Sequence, residues 1–218
     1  MGERILGIIF DLDGVITDTA EFHYKAWQWL ADREGLSFDR TVNEQLRGVS
    51  RRKSLEIILK GSNMEEERIL RCMDDKNAYY QTLLEGISRQ DILPGVEDLL
   101  KGIRRRGWKI SLASASRNAR FILEKLELIS FFDGLSDGYS VVRPKPAPDV
   151  FIHAAGQLGL PVTQCIVVED AEAGVKAALE GGMKTVGIGP ENRVGAAHIR
   201  YDEPGLIALD DLQSLIPG

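Results

Sequence analysis

Cysteine and histidine are scarce in this chain: two and three copies among 218 residues. Neither type clusters, and Cys72 and Cys165 have no motif neighbour, so reduced, packing thiols are expected. Long apolar runs are missing as well. No segment approaches the ~20 consecutive apolar residues of a membrane span. The apolar run after Arg4 ends at Asp11, too short for a signal peptide. A basic excess is also lacking, since 27 Lys and Arg face 33 Asp and Glu for a net charge of −6. That balance argues against non-specific nucleic-acid binding, and the one basic cluster, RGVSRRK at 47–53, reads alone as a solvated face. Internal repeats and low-complexity stretches are absent. What remains is ordinary globular composition, 44% hydrophobic and 28% charged, long enough for one large domain or a core domain carrying an insert. A cytoplasmic protein without membrane or nucleic-acid partners is the expectation.

Short apolar runs recur along the chain. ILGIIF (5–10), WKISLA (108–113), CIVV (165–168) and KTVGIG (184–189) have the composition of buried strands. Between or after them, residues 96–106, 117–128, 148–159 and 171–182 repeat apolar residues at spacings of three and four, as helices do. Gly107 and the Gly181–Gly182 pair read as helix stops. Such alternation predicts a Rossmann-like parallel sheet with helices on both faces, an α/β fold. Residues 20–35, 51–61 and 64–86 are helical in pattern, with no convincing strand among them. They predict an all-helical insert: a core of residues 1–17 and 92–218, and a helical cap domain of residues 18–91.

Ligands of an open parallel sheet bind beyond the carboxyl ends of its strands. Asp11 and Asp13 follow the first apolar run, Ser114 and Ser116 the second, Glu169 and Asp170 the third. Lys145, in the PKPAPD loop, could reach the same edge. Each has an ordinary reading alone: a polar turn, an N-cap at Ser116 or Asp170, a solvated lysine. Two like charges 4 Å apart repel by ~4 kcal/mol at an effective dielectric of about 20. Four carboxylates sharing a pocket therefore need cations, and Lys145 supplies one. An all-oxygen donor set with no clustered His or Cys favours Mg²⁺ over zinc, and Mg²⁺ keeps positions for phosphate oxygens. Asp11, straight off a strand, suits nucleophilic attack on phosphorus; Asp13, two residues on, suits proton transfer to and from the oxygen. Hydroxyls and backbone N–H groups at Ser114–Ser116 would hold phosphate oxygens, and Lys145 would neutralise the transferring group.

FDLDGVITDT, LASASRN, KPAPD and VVEDAEAG resemble, in order, the four signature motifs of the haloacid dehalogenase superfamily. Asp11, Asp13 and Thr17 fall in the first motif, and Asp13 speaks against the dehalogenase branch, which lacks the second aspartate. DLDGVITDTAEFHYKAW and NEQLRGVSR, with LASASRN and KPAPD, look more narrowly like the β-phosphoglucomutase family. That resemblance implies interconversion of β-D-glucose 1-phosphate and glucose 6-phosphate through β-D-glucose 1,6-bisphosphate, by a cytoplasmic, monomeric isomerase. It implies Mg²⁺ on Asp11, the Asp13 carbonyl, Glu169 and Asp170. Ser114, Ala115 and Lys145 would take the transferring phosphate; Arg51, Ser116 and Asn118 the distal one. Thr17, His23, Arg47, Gly48, Val49 and Lys76 would serve closure and sugar contacts, with His23 bonding to Asp13 on closure. Arg117 stands where the family usually has lysine, and Arg143-Pro144 where it has small residues. A phosphatase with the same core and another cap is the alternative. A non-catalytic descendant would be expected to have lost Asp11 or Asp13, and both are present.

Overall fold

The computed structural model describes residues 6–216; the expected start of the first strand at Ile5 lies outside them. Six parallel strands form one sheet: β1 (Gly7–Phe10), β2 (Lys109–Ala113), β3 (Gly134–Ser136), β4 (Cys165–Glu169), β5 (Lys184–Ile188) and β6 (Ile199–Tyr201), in spatial order β3-β2-β1-β4-β5-β6. β1 lies between β2 and β4, with Gly7 opposite both Lys109 and Cys165. The strand order reverses at β1, which makes its carboxyl end the topological switch point.

Alternation along the strands splits the core into two faces, as a period of two requires. Ile8, Phe10, Ile110, Leu112, Ile166 and Val168 join one apolar cluster with α5 (Val96–Arg105) and α6 (Ala119–Lys125). Ile9, Ala113, Cys165 and Val167 join the other, with α7 (Asp149–Leu158) and α8 (Glu172–Glu180). Each such aliphatic side chain taken out of water contributes roughly 1.5–3 kcal/mol. Cys72 and Cys165 are both buried and free, as expected.

Between β1 and β2 the described chain forms no strand. It runs through α1 (Ala20–Glu34), α2 (Arg40–Glu44), α3 (Arg51–Leu59) and α4 (Glu66–Leu84). Trp27, Leu30, Leu55, Ile58, Ile69 and Cys72 make a third apolar cluster within these helices. The Ser50 side chain caps α3 by accepting the Lys53 N–H at 3.3 Å, which places Arg51 in the first turn. Two connections tie this segment to the sheet. Thr17 Oγ1 donates to the Asp91 carbonyl at 2.7 Å, and the Leu93 N–H to the Ile16 carbonyl at 3.0 Å. The short α9 (Glu191–Val194) and α10 (Leu209–Ser214) close the chain.

Candidate active site

At the switch point, Asp11 leaves β1 with its N–H on the Val168 carbonyl at 2.9 Å. Its Oδ1 accepts from Lys145 Nζ at 2.6 Å, and its Oδ2 from the Asp13 N–H at 3.1 Å. Lys145, 2% exposed, also donates to Glu169 Oε1 at 2.6 Å and to the Ala113 carbonyl at 3.2 Å. Burial disfavours its charge, but Asp11 and Glu169 overcome that and hold the amine above its ordinary range. The loop carrying this lysine therefore reaches the strand ends, as its position in the sequence led us to expect. Glu169 Oε2 accepts the Ala171 N–H at 2.8 Å.

Asp11, Glu169 and Asp170 bring carboxylate oxygens within 4.8 Å of one another. Lys145 is not their sole cation. Arg47 Nη1 lies 3.0 Å from Asp170 Oδ2, and Arg193 Nη2 lies 3.8 Å from the same oxygen. Burial, aided by Glu169, nevertheless pushes Asp170 up to about 7 against both arginines. Burial likewise raises Asp11 well above the usual carboxylate range against the opposing pull of Lys145. The protein's own cations leave the cluster under-compensated. Three clustered hard oxygen donors, whose burial those cations do not offset, fit Mg²⁺. The first turn of α8 is shaped around the cluster: a Cβ at Gly174 would lie 1.8 Å from Glu169 Oε1.

Asp13 is pinned by two residues that the motif reading did not single out. Thr19 donates its hydroxyl to Asp13 Oδ1, and Tyr80 donates to Thr19 Oγ1 at 3.1 Å. Burial raises the Asp13 carboxyl, and the Thr19 bond opposes the rise. Thr17, the expected site threonine, is fully buried and does not line the cavity. Its hydroxyl is committed to Asp91, two residues along a turn from where Thr19 faces the site. His23 does reach the cavity, but its partner here is Lys76, at 2.9 Å from Nδ1, and it stacks on Tyr80 with ring centroids 4.1 Å apart. Burial, then Lys76 and Arg51, hold His23 well below its ordinary range, so the imidazole that meets the lysine is neutral.

After β2, Ser114–Asn118 form a tight turn rather than a row of free donors. The Ser116 N–H reaches Ser114 Oγ at 3.1 Å, and the Asn118 N–H reaches Ser116 Oγ at 3.2 Å. The ordinary capping readings do not hold: α6 is preceded by Asn118 and α8 by Ala171, neither position being Ser116 or Asp170.

A cavity of about 530 Å³ lies between this sheet edge and the helices. Every expected site residue lines it except Thr17 and Glu169, the latter buried behind Lys145. Facing the acidic end is a cationic one. Arg51 donates to Asn77 Oδ1 at 2.7 Å, Lys76 lies over the Trp27 and Tyr80 rings at 4.8 and 4.5 Å, and Arg117 lies over Tyr139 at 4.7 Å. All three basic side chains line the cavity, and among the described residues none of them makes an ion pair with a carboxylate. Gly48 brings the α2–α3 connection against the sheet edge, where a Cβ on it would lie 2.9 Å from that of Ala171. Chemically, one end offers two carboxylates for attack and proton transfer beside a metal-type cluster. The other offers charge for a second anion.

Comparison with known proteins places these features in a family. Residues 5–182 match the model of the haloacid dehalogenase-like hydrolases. A β-phosphoglucomutase of Bacillus subtilis (strain 168) is 43% identical over 189 residues, covering 84% of this chain and 82% of that protein. The fructose-1-phosphate phosphatase YqaB of Escherichia coli (strain K12) is 32% identical over 188 residues, covering 86% and 98%. The crystal structure of a β-phosphoglucomutase from Clostridium difficile superposes with a TM-score of 0.94 at 38% identity, covering 98% of this chain and 97% of that one.

Proposed function

The chain belongs to the haloacid dehalogenase-like hydrolase family, and we propose that within it the protein is a β-phosphoglucomutase. The observation that carries this reading beyond a sugar-phosphate enzyme in general is the second cationic end of the cavity. A phosphatase acting on a monophosphate needs one anion site, at Asp11 and Lys145. Arg51, Lys76 and Arg117 face the same cavity and make no ion pair among the described residues, with Asp74 and Asp137 also on the lining, and that arrangement suits a substrate with anions at both ends. The relative from B. subtilis supports the same choice.

In this reading Asp11 carries the phosphoryl group as an aspartyl-phosphate. β-D-Glucose 1-phosphate binds with its 6-hydroxyl toward Asp11 and its phosphate toward Arg51, Ser116, Arg117 and Asn118. Asp13, steadied by Thr19, takes the hydroxyl proton as the oxygen attacks phosphorus, and the Asp11–phosphorus bond breaks. The resulting 1,6-bisphosphate turns end for end. Asp11 then attacks the 1-phosphate, and Asp13 returns its proton to the departing oxygen, releasing glucose 6-phosphate. Lys145 holds Asp11 in line and screens the charge of the transferring group. Asp11, the Asp13 carbonyl, Glu169 and Asp170 would hold Mg²⁺, which supplies further charge neutralisation when bound. His23, Arg47, Gly48, Val49 and Lys76 would line the sugar, on a cap of residues 18–91 that closes over a core of residues 1–17 and 92–218. The protein would act as a cytoplasmic monomer; among the described residues, no helix is long and apolar enough to cross a membrane.

The test is a paired assay. With Mg²⁺ and a trace of glucose 1,6-bisphosphate, the protein converts β-glucose 1-phosphate to glucose 6-phosphate much faster than it frees inorganic phosphate. Predominant phosphate release would establish the second reading, a small sugar-phosphate phosphatase, which the 32% identity to the fructose-1-phosphate phosphatase favours. Asp11→Asn should keep the fold and lose more than about a thousandfold in turnover; substantial residual activity would contradict a nucleophilic Asp11.

A further inference from the structure

Two uncharged side chains on α4, neither with a place in the mechanism above, join the two halves of the cationic end. Asn77 Oδ1 accepts twice, from Arg51 Nη2 at 2.7 Å and from Asn118 Nδ2 at 2.9 Å. Gln81, one turn further on the same helix face, donates Nε2 to Asn118 Oδ1 at 3.0 Å. The polarity of this chain is not arbitrary. A guanidinium only donates, so Asn77 must turn its oxygen to Arg51. That oxygen then calls for the nitrogen of Asn118, and the Asn118 oxygen for the nitrogen of Gln81. One arginine thereby sets the orientation of three amides, drawn from α4 and from the turn before α6.

The choice of a neutral acceptor matters. An aspartate at position 77 would hold Arg51 equally well, but would also cancel its charge. An asparagine fixes the guanidinium and leaves its charge, and its remaining N–H donors, for a ligand. We infer that Asn77, backed by Gln81, is a positioning residue that aligns Arg51 with Asn118 to build the second anion site without neutralising it. The inference rests on the two-anion reading of the cavity.

Glucose 1,6-bisphosphate binding to the full chain tests it, measured by titration calorimetry with Mg²⁺ and with Asp11→Asn throughout to prevent turnover. Thermal unfolding of the same proteins runs alongside. Asn77→Ala should weaken the bisphosphate roughly tenfold, as loss of a bond to a charged group does. Asn77→Asp should weaken it further while unfolding at the same temperature as the parent or higher, because the new carboxylate pairs with Arg51. Affinity and stability thus move in opposite directions, which a merely structural role would not produce. Affinities within threefold of the parent in both variants, or Asn77→Asp binding more tightly than Asn77→Ala, would overturn the inference. Should Asn77→Ala fail to fold, Asn77→Asp alone decides. If the parent binds the bisphosphate no more tightly than glucose 6-phosphate, the two-anion reading itself fails, before any variant is compared.

Discussion

Lys76 is an amine only 2% exposed, set between Trp27 and Tyr80 and bonded to a neutral histidine. Burial, then Arg51, hold it well below its ordinary range. A base whose folded-state pKa is depressed costs stability below its unfolded value of about 10.4. Lys76→Met, of similar shape, should therefore raise the unfolding free energy at pH 7 by on the order of 1 kcal/mol. The same variant should raise KM for the sugar phosphate; calorimetric melting and steady-state kinetics check the two signs together. His23 follows the same logic at lower pH. Its folded-state pKa lies well below the unfolded ~6.5, so its contribution is present above pH 6.5 and is lost as pH falls below it, by up to about 1.4 kcal/mol per pH unit. Urea unfolding at pH 7.0 and 5.5 should show a smaller drop for His23→Gln than for the parent. The sequence pointed to His23 and Lys76 as site residues but not to their mutual bond, since 53 positions separate them. Thr19 lies inside the first motif and could have been read there. The two threonines of this turn point to different sides, Thr17 to the Asp91 carbonyl and Thr19 to Asp13, a distinction no composition pattern carries.

At the scale of elements, the readable pieces were those with enough residues to repeat. The buried strands β1, β2, β4 and β5 span four or five residues, and the core helices seven to ten. The unforeseen β3, β6 and α2 have three, three and five residues. None spans two full periods of apolar spacing; β3 and β6 are fixed by pairing with β2 and β5, and α2 by the Asp39 side chain capping the Val42 N–H. The approach of α8 to the acidic cluster was equally hidden, because it depends on what Gly174 lacks. Alanine there would improve intrinsic helix propensity by about 1 kcal/mol, yet its Cβ would fall 1.8 Å from Glu169 Oε1. The clash wins: Gly174→Ala should displace Glu169 and weaken Mg²⁺. Because ligand binding stabilises by RT ln(1 + [L]/Kd), the rise in melting temperature on adding Mg²⁺ should shrink in this variant, a measurement that needs no substrate.

For the whole molecule, strand order and cavity follow from contacts far apart in the chain. Alternation of strands and helices was enough to expect a parallel sheet, and right-handed crossovers narrow its topology. It could not bring Arg47 to Asp170, 123 residues away, so the sequence offers Lys145 and a divalent metal to the cluster and places Arg47 with the closure and sugar contacts. That contact joins the helical segment to the sheet edge, and Gly48 reinforces it. In the mutase cycle proposed above, the bisphosphate turns between two phosphoryl transfers, and that reading requires this joint to part. A disulfide offers a way to hold it. A Cβ on Gly48 would lie 3.9 Å from that of Ala173, close to the mean separation of about 3.8 Å in disulfides. Cysteine at position 48 would sit at a φ of +69°, a strain of roughly 1–2 kcal/mol, and its Cβ would press on that of Ala171 at 2.9 Å, so the connection must shift slightly as the cross-link forms. The buried Cys72 and Cys165 offer no competing exposed thiol. Gly48→Cys combined with Ala173→Cys should lose turnover on oxidation and regain it with a reductant, while each single variant responds to neither. Equal rates in the oxidised and reduced double variant would mean that turnover does not require parting Gly48 from α8, and the proposed closure of residues 18–91 over the core would then have to occur elsewhere or not at all.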